Sequence, residues 1–546
     1  MDIVFLPRAH HPALAFLSAG DLMALTHTEQ FLGPREREPH PSLVQRLTDA
    51  SDELARWLST HAWAPLLGLA MITWLSVTDS AARPFWFDEI FTVHLAGLPT
   101  VGDILQALSK GVDAQPPLFH LITRLVQRLF GNGEVATRLP ALAGYLLMTV
   151  CLYLFVRRRT NSLFGCVAAL FPAVTLAFEY SYEARPYGMV LGFSALALWC
   201  WQEAATGLHR KLALAGLWLS LSLAVASHYY AVLAFVPIAM GELIRIVQRR
   251  RIDLPIAIAG GLAGMVALAH LPLIHGVMAS YSEHPWNSVT LRFTYEAFQS
   301  ILLPAAVPMA LSFVALYLMC LVDDTPEPPA LCGAGLTAAE TGACLGYLLL
   351  PACGYLLGRT VTHMMTDRYV LSLVVGLAVL FACAFYNASR GRAIAGLALL
   401  VIMGGTFVAR NGTRLWKSQQ NPYSTFSLPS QNPDLPLVVG SPLYFAPLVH
   451  YGNSNVTSRM VYLFDSDLAY RYLGMNATDR NVEIAGPVFR WPVTRYGDFA
   501  SAHPRFFLFS SPGSNWVEKK LVADGARLEL LSSQAESALY LVTQNP

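Results

Sequence analysis

Eleven stretches of this chain are apolar enough and long enough to cross a bilayer, and that repetition constrains its fold more than any motif does. They fall near residues 61–79, 139–156, 162–179, 188–205, 212–227, 229–247, 254–275, 301–321, 341–358, 370–387 and 393–409. A helix needs about 17–25 apolar residues to span hydrocarbon. Inside lipid a helix also satisfies its own backbone polar groups, which an open strand cannot do. Composition points the same way: 54% of the 546 residues are hydrophobic and only 13% are charged, against about 25% charged in ordinary soluble domains. A soluble protein would have to expose that apolar surface to water, so this class is excluded. The 11% aromatic content excludes a disordered chain. Lys plus Arg (37) balances Asp plus Glu (36), so no bulk basic field points to nucleic acid. The expectation is an α-helical polytopic membrane protein.

Short-loop charge sets the orientation. Arg157, Arg158 and Arg159 follow the second span, Arg210 and Lys211 the fourth, Arg245 and Arg249 to Arg251 the sixth, and Arg390 and Arg392 the tenth. Arg-rich loops stay in the cytoplasm. Residues 1–60, which hold charge clusters and no signal-peptide pattern, are therefore a polar cytoplasmic arm. Residues 61–409 form the membrane domain, with an outer loop over 80–138. The tail 410–546 lies outside and reads as a small α/β domain, because its apolar runs shorten to strand length: Leu437 to Val439, Met460 to Phe464 and Phe506 to Phe509 among them. All eight cysteines lie in spans or in the inner loop 322–340, so neither a disulfide framework nor a metal motif is expected.

Charge is costly in lipid, so its placement is informative. Span centres are nearly free of it, and the ionisable residues gather at the outer ends: Asp88 and Glu89 after span one, Glu179, Glu183 and Arg185 after span three, His228 and Tyr229 between spans five and six, and His363, Asp367 and Arg368 before span ten. A bundle would gather these ends around one outward cavity. A lipid or sugar transporter, the alternative function, places polar residues at mid-membrane. The segment Arg83-Pro84-Phe85-Trp86-Phe87-Asp88-Glu89-Ile90-Phe91 sets two carboxylates among four aromatics. Apolar surroundings and a neighbouring carboxylate both raise a carboxyl pKa, which suits a general base. The competing reading is an aromatic interfacial belt with two solvated acids. Asp113-Ala114-Gln115-Pro116-Pro117 then leads into a helix whose Leu118, Leu121, Ile122, Leu125 and Leu129 form one stripe, with Arg124, Gln127 and Arg128 off it. Such an amphipathic helix is suited to lying on the outer leaflet.

The order of these motifs resembles one family. A short first span, the Asp88–Glu89 pair, the proline-led helix, the FGNGEVATRLPAL segment before span two and the EARPYG turn after span three are similar to the C-type membrane glycosyltransferases of the protein O-mannosyltransferase and aminoarabinose transferase group. The similarity is strongest over 80–190 and extends weakly to TDRYVLSL at 366–373. It implies a GT-C fold and an inverting transfer of a sugar from a polyprenyl-phosphate donor to a lipid, glycan or protein hydroxyl. It implies that Asp88 is the base and Glu89 orients or supports it. A departing phosphate needs cationic donors, and Arg185 and Arg368 are the candidates, with His363 as a lesser one; a structural ion pair with Glu183 or Asp367 is the competing reading for either arginine. Glu179 or Glu183 takes the family's second acidic position, and Gln115 and Tyr229 join the substrate contacts. No metal or other cofactor is implied. The implied location is a bacterial plasma membrane, with the site on its outer side.

Overall fold

The computed structural model describes residues 43–61, 64–207, 209–281, 289–322, 335–416, 421–429, 431–534 and 536–544. Most of the expected N-terminal arm, and Cys332 in the inner loop, lie outside these residues. Residues 43–60 of that arm form a helix, Leu43–Thr60.

Each of the eleven apolar intervals holds helix among its described residues. Among the described residues six helices are long and apolar enough to cross a membrane singly, and eight spans result if the pairs 254–269/271–278 and 338–348/350–362, each bent by 47°, count as one each. Two further intervals hold only the shorter apolar helices Ser162–Val174 and Leu373–Ala388. The third interval breaks because Phe171–Val174 and Leu176–Ser181 tighten into 3₁₀ turns. The chain is thus a polytopic helical membrane protein.

Small residues let the central helices touch. A Cβ on Gly188 would sit 2.2 Å from the Ala141 carbonyl oxygen, and one on Gly144 would sit 2.4 Å from Met189 Cα. This close approach, the usual device between membrane helices, locks the start of helix Tyr187–Thr206 against helix Glu134–Arg159. At one end of the bundle three of the Arg-rich loops converge. Arg159 and Gln202 both donate to Glu340 (2.8 and 2.7 Å), and Arg159, Arg245 and Arg249 line the same 140 Å³ pocket.

At the other end the first long loop folds into three helices, Phe87–Ala96, Val101–Ser109 and Pro117–Phe130. The last is the expected amphipathic helix, with its faces assigned differently. Phe119, His120, Thr123 and Arg124 are buried, and Arg124 donates to the carbonyls of Ala96 (3.0 Å), Leu98 and Pro99 (2.6 Å). Leu125 and Leu129, on the apolar stripe, are 58% and 65% exposed. Arg124 is therefore an internal anchor that ties up carbonyls at a helix end; Leu118, Leu121 and Ile122 of the stripe are half-buried, and its C-terminal part, Leu125 and Leu129, is exposed.

Residues beyond 436 form a six-stranded sheet ordered β3-β2-β1-β4-β6-β5, made of β1 (Leu437–Val439), β2 (Met460–Phe464), β3 (Val493–Arg495), β4 (Arg505–Ser510), β5 (Arg527–Ser533) and β6 (Ala538–Thr543). The first four strands are parallel, and β6 and β5 complete the sheet antiparallel. Parallel neighbours need crossovers, and helices supply them. This domain packs on helix Phe87–Ala96 through aromatics: Phe91 meets Phe489 and Trp491 at 5.6 and 5.3 Å between ring centroids. Tyr451 adds polar ties, accepting from the Phe85 amide and donating to Glu134, both at 2.8 Å.

Candidate active site

Asp88 and Glu89 occupy the first turn of helix Phe87–Ala96, where negative charge is favourable. Neighbours on a helix point about 100° apart, so the two carboxylates serve different surroundings. Glu89 turns inward and is fully buried. Its Oε1 accepts from Arg138 Nε (2.7 Å) and the Ala184 amide (2.6 Å), and its Oε2 accepts from Arg138 Nη2 (2.6 Å) and the Trp86 amide (3.2 Å). Arg138, also fully buried, donates in addition to the carbonyls of Ser80 and Arg83 at 2.7 Å and lies 5.0 Å over the Phe85 ring. The pair clamps the 80–86 linker, the 134–159 helix and the 182–186 turn together. Arg138 was missed as a site residue by sequence reasoning. An arginine in a membrane helix demands a partner, and that signal was available.

Asp88 turns outward onto a cavity of about 500 Å³. Arg368 Nη1 is 3.2 Å from Asp88 Oδ2, both side chains about a fifth exposed (18% and 20%). The Arg368 guanidinium lies over the Trp86 and Tyr187 rings at 5.6 and 5.7 Å, and its Nε has no partner among the described residues. Arg185, nearly buried, forks onto Asp113 with bonds of 2.8 and 3.1 Å, and its Nη1 also reaches the Asp88 carbonyl at 3.2 Å. His120 Nε2 is 3.4 Å from the same Asp113 carboxylate. Burial opposes ionisation of Asp113, but Arg185 and His120 outweigh it and hold the carboxyl well below the usual range. Burial likewise opposes the charge on Arg185, and Asp113 and Asp88 overcome it.

Of the residues expected at the site, Asp88, Arg185, Arg368 and Gln115 share this cavity. Gln115 is 3% exposed and its Oε1 has no partner among the described residues. The others lie elsewhere. Glu89 is in the clamp. Glu183 is buried, is not on the cavity lining, and its Oε1 has no partner among the described residues. Burial pushes its carboxyl up to about 7, repulsion from Glu89 adds to this, and Arg368 and Arg83 pull the other way. Glu179 pairs at 3.2 Å with Arg410 of the last membrane helix. His363 is exposed in a left-handed turn (φ 56°). Tyr229 lines an adjoining apolar chamber of about 210 Å³, which shares Ala114, Met364 and Tyr369 with the cavity.

Asp113 and Tyr187 are on the cavity wall without having been assigned a role. The C-terminal domain adds Met475, Thr478 and Asn481, and Asn481 Nδ2 donates to the Val112 carbonyl at 2.8 Å. Among the described residues no three His, Cys, Asp or Glu side chains converge as a metal set.

The fold is the GT-C glycosyltransferase fold. Residues 114–274 match the model of the dolichyl-phosphate-mannose-protein mannosyltransferase family. The structure is similar to that of ArnT from Cupriavidus metallidurans bound to undecaprenyl phosphate, at 12% identity and a TM-score of 0.53, over 88% of this chain and 98% of that one. It is equally similar to the apo state of the same protein, at 13% identity and 0.52, over 87% and 97%. A comparison with curated proteins finds no match.

Proposed function

We propose that the protein transfers a sugar from a polyprenyl-phosphate donor to an acceptor hydroxyl, with inversion, at the outer face of a bacterial plasma membrane. The observation that carries this reading is one cavity where the carboxylate Asp88 meets the guanidinium of Arg368, with the Arg185–Asp113 pair and Asp367 on the same wall, beside an apolar chamber. A polyprenyl phosphate has the same two-part chemistry. The isoprene units next to the phosphate would enter the chamber lined by Val225, Ile274, Val277 and Leu357, and the phosphate would meet the arginines. The ArnT structure with undecaprenyl phosphate is in keeping with this. The arginine-rich loops at the opposite end of the bundle are the cytoplasmic ones.

In this mechanism the donor phosphate competes with Asp88 for Arg368. Once the guanidinium turns to the phosphate, Asp88 is released to accept a proton. The acceptor hydroxyl attacks the anomeric carbon, its proton passes to Asp88, and the bond from that carbon to the phosphate oxygen breaks. The phosphate leaves with the bonding pair, and the arginines stabilise the charge that develops there. Glu89 contributes by fixing the helix turn that carries Asp88. The structural resemblance to GT-C enzymes supports glycosyl transfer; the sugar and the acceptor are open to assay. Purified protein in proteoliposomes, supplied with a panel of radiolabelled undecaprenyl-phosphate sugars, should release undecaprenyl phosphate from at least one. Release from none of the panel refutes the reading.

A further inference from the structure

A second cleft, of about 630 Å³, lies beside the cavity and is not used by the mechanism above. Its place in the fold is specific. From β1 the chain runs to β2 and then β3 on one side, and crosses back to β4 on the other. The carboxyl ends of β1 and β4 are therefore the topological switch point, where open α/β sheets form their ligand crevice. The segments leaving those two strands build the cleft: Ser441, Leu443 and Tyr444 after β1, and Ser511, Pro512 and Ser514 after β4.

Its lining differs from that of the reaction cavity. Three serines, two tyrosines, Trp86 and one acid, Glu536, dominate, and no Lys, Arg or His is among the residues described there. The reaction cavity, by contrast, is lined by Arg185 and Arg368 together with Asp88, Asp113 and Asp367. The hydroxyls are pre-arranged: Ser511 donates to the Tyr444 oxygen at 3.3 Å, and Tyr444 donates to the Glu536 carbonyl at 3.0 Å. Trp86 Nε1 is buried without a partner among the described residues. Trp86, Phe87 and Leu443 line both spaces, and the Trp86 ring carries Arg368, the partner of Asp88. A ligand in the cleft therefore borders the reacting centre.

We infer that this switch-point cleft is the acceptor site and that it takes an uncharged saccharide. The inference rests on the glycosyl-transfer reading and adds the class of acceptor. Aromatic faces pack against the C–H surface of a sugar ring, and serine and tyrosine hydroxyls match its hydroxyls as both donors and acceptors. A phosphorylated acceptor would bring negative charge to a lining that holds a carboxylate and no described cation, and its desolvation would go uncompensated. The arginines line the reaction cavity and no described cation lines the cleft, so the donor phosphate goes to the arginines and the neutral acceptor to the serines.

The test uses the full chain in detergent, with saturation-transfer NMR against mannotriose, triacetylchitotriose, mannose 6-phosphate and an uncharged serine- and threonine-rich peptide. At least one neutral trisaccharide should bind, and mannose 6-phosphate and the peptide should not. Ser514→Trp, at an exposed position, and Ser511→Trp should each abolish that binding while the thermal midpoint is retained. Ser441→Trp replaces either variant if its midpoint falls. No binding of either trisaccharide, binding that survives the cleft-filling variants, or preference for the phosphorylated sugar or the peptide overturns the inference. Release of undecaprenyl phosphate by the wild type with water as acceptor reports donor chemistry separately, so failure there counts against the glycosyl-transfer reading and not against the cleft.

Discussion

Replacing Glu89 by Gln tests whether this carboxylate holds the site together or takes part in its chemistry. The side chain accepts four hydrogen bonds, two of them from a guanidinium as buried as itself. Glutamine is nearly isosteric, but it removes the charge and presents an NH₂ where only donors converge. Breaking one side of a buried ion pair costs about 3–5 kcal/mol, because the remaining charge is uncompensated. A donor left facing a donor costs about 1–3 kcal/mol, and the two effects overlap. We expect Glu89→Gln to lose roughly 3–5 kcal/mol of stability and Arg138→Gln to lose a similar amount. The double variant Glu89→Leu/Arg138→Met should lose less than the sum, since no buried charge remains unpaired. The assay is the thermal inactivation rate of the purified full chain, with donor turnover measured on the surviving fraction. Membrane proteins often unfold irreversibly, so the rate is the quantity to compare. Wild-type thermal behaviour of Glu89→Gln combined with lost turnover would refute the reasoning and give Glu89 a chemical role.

Three further outcomes follow from the same geometry. Arg368→Lys keeps charge but loses the fork and the ring contacts with Trp86 and Tyr187; it should raise the donor KM and lower turnover by about tenfold or more, a difference of ~1.4 kcal/mol, and unchanged kinetics would remove Arg368 from donor binding. Glu183 has its folded pKa raised to about 7, above the unfolded value, so the native state binds the extra proton and stability falls as pH rises from about 4.5 to 7; Glu183→Gln should flatten that slope and be at least as stable as wild type at pH 8, whereas an unchanged slope contradicts the assignment. Leu125→Glu and Leu129→Glu alter exposed positions of the apolar stripe, so detergent stability should hold while donor turnover in vesicles falls; equal turnover in vesicles would show that the stripe does not face lipid.

Much of this was legible in the sequence. Apolar run length marked the helical intervals, and the clustering of charge at span ends marked Asp88, Arg185 and Arg368, because such groups must leave the hydrocarbon. What stayed hidden was direction and partnership. Adjacent carboxylates diverge on a helix, and nothing in the letters says that Glu89 is the inward one. Asp113 and Arg185 meet across 72 residues, and Glu179 is taken up by Arg410 of a distant helix. His363 sits one turn from the site in sequence yet faces out, because the chain turns left-handed there. Thr478 and Asn481 were invisible, since the tail has no phosphate-loop signature and reaches the cavity through long-range contacts, its aromatic packing on Phe91 and the Asn481–Val112 bond among them.

The central claim is that Asp88 is the base of a glycosyl transfer, and the Asp88→Asn variant measures it most directly. Asparagine keeps the size and can still accept a hydrogen bond, but it cannot take the acceptor proton. Initial rates should be measured on purified full chain in proteoliposomes, with a defined polyprenyl-phosphate sugar and with thermal stability recorded beside them. A positioned general base is worth about 10²–10⁴ in rate, so turnover should fall by that order while donor binding persists. Asp88→Asn turning over at the wild-type rate would contradict the account.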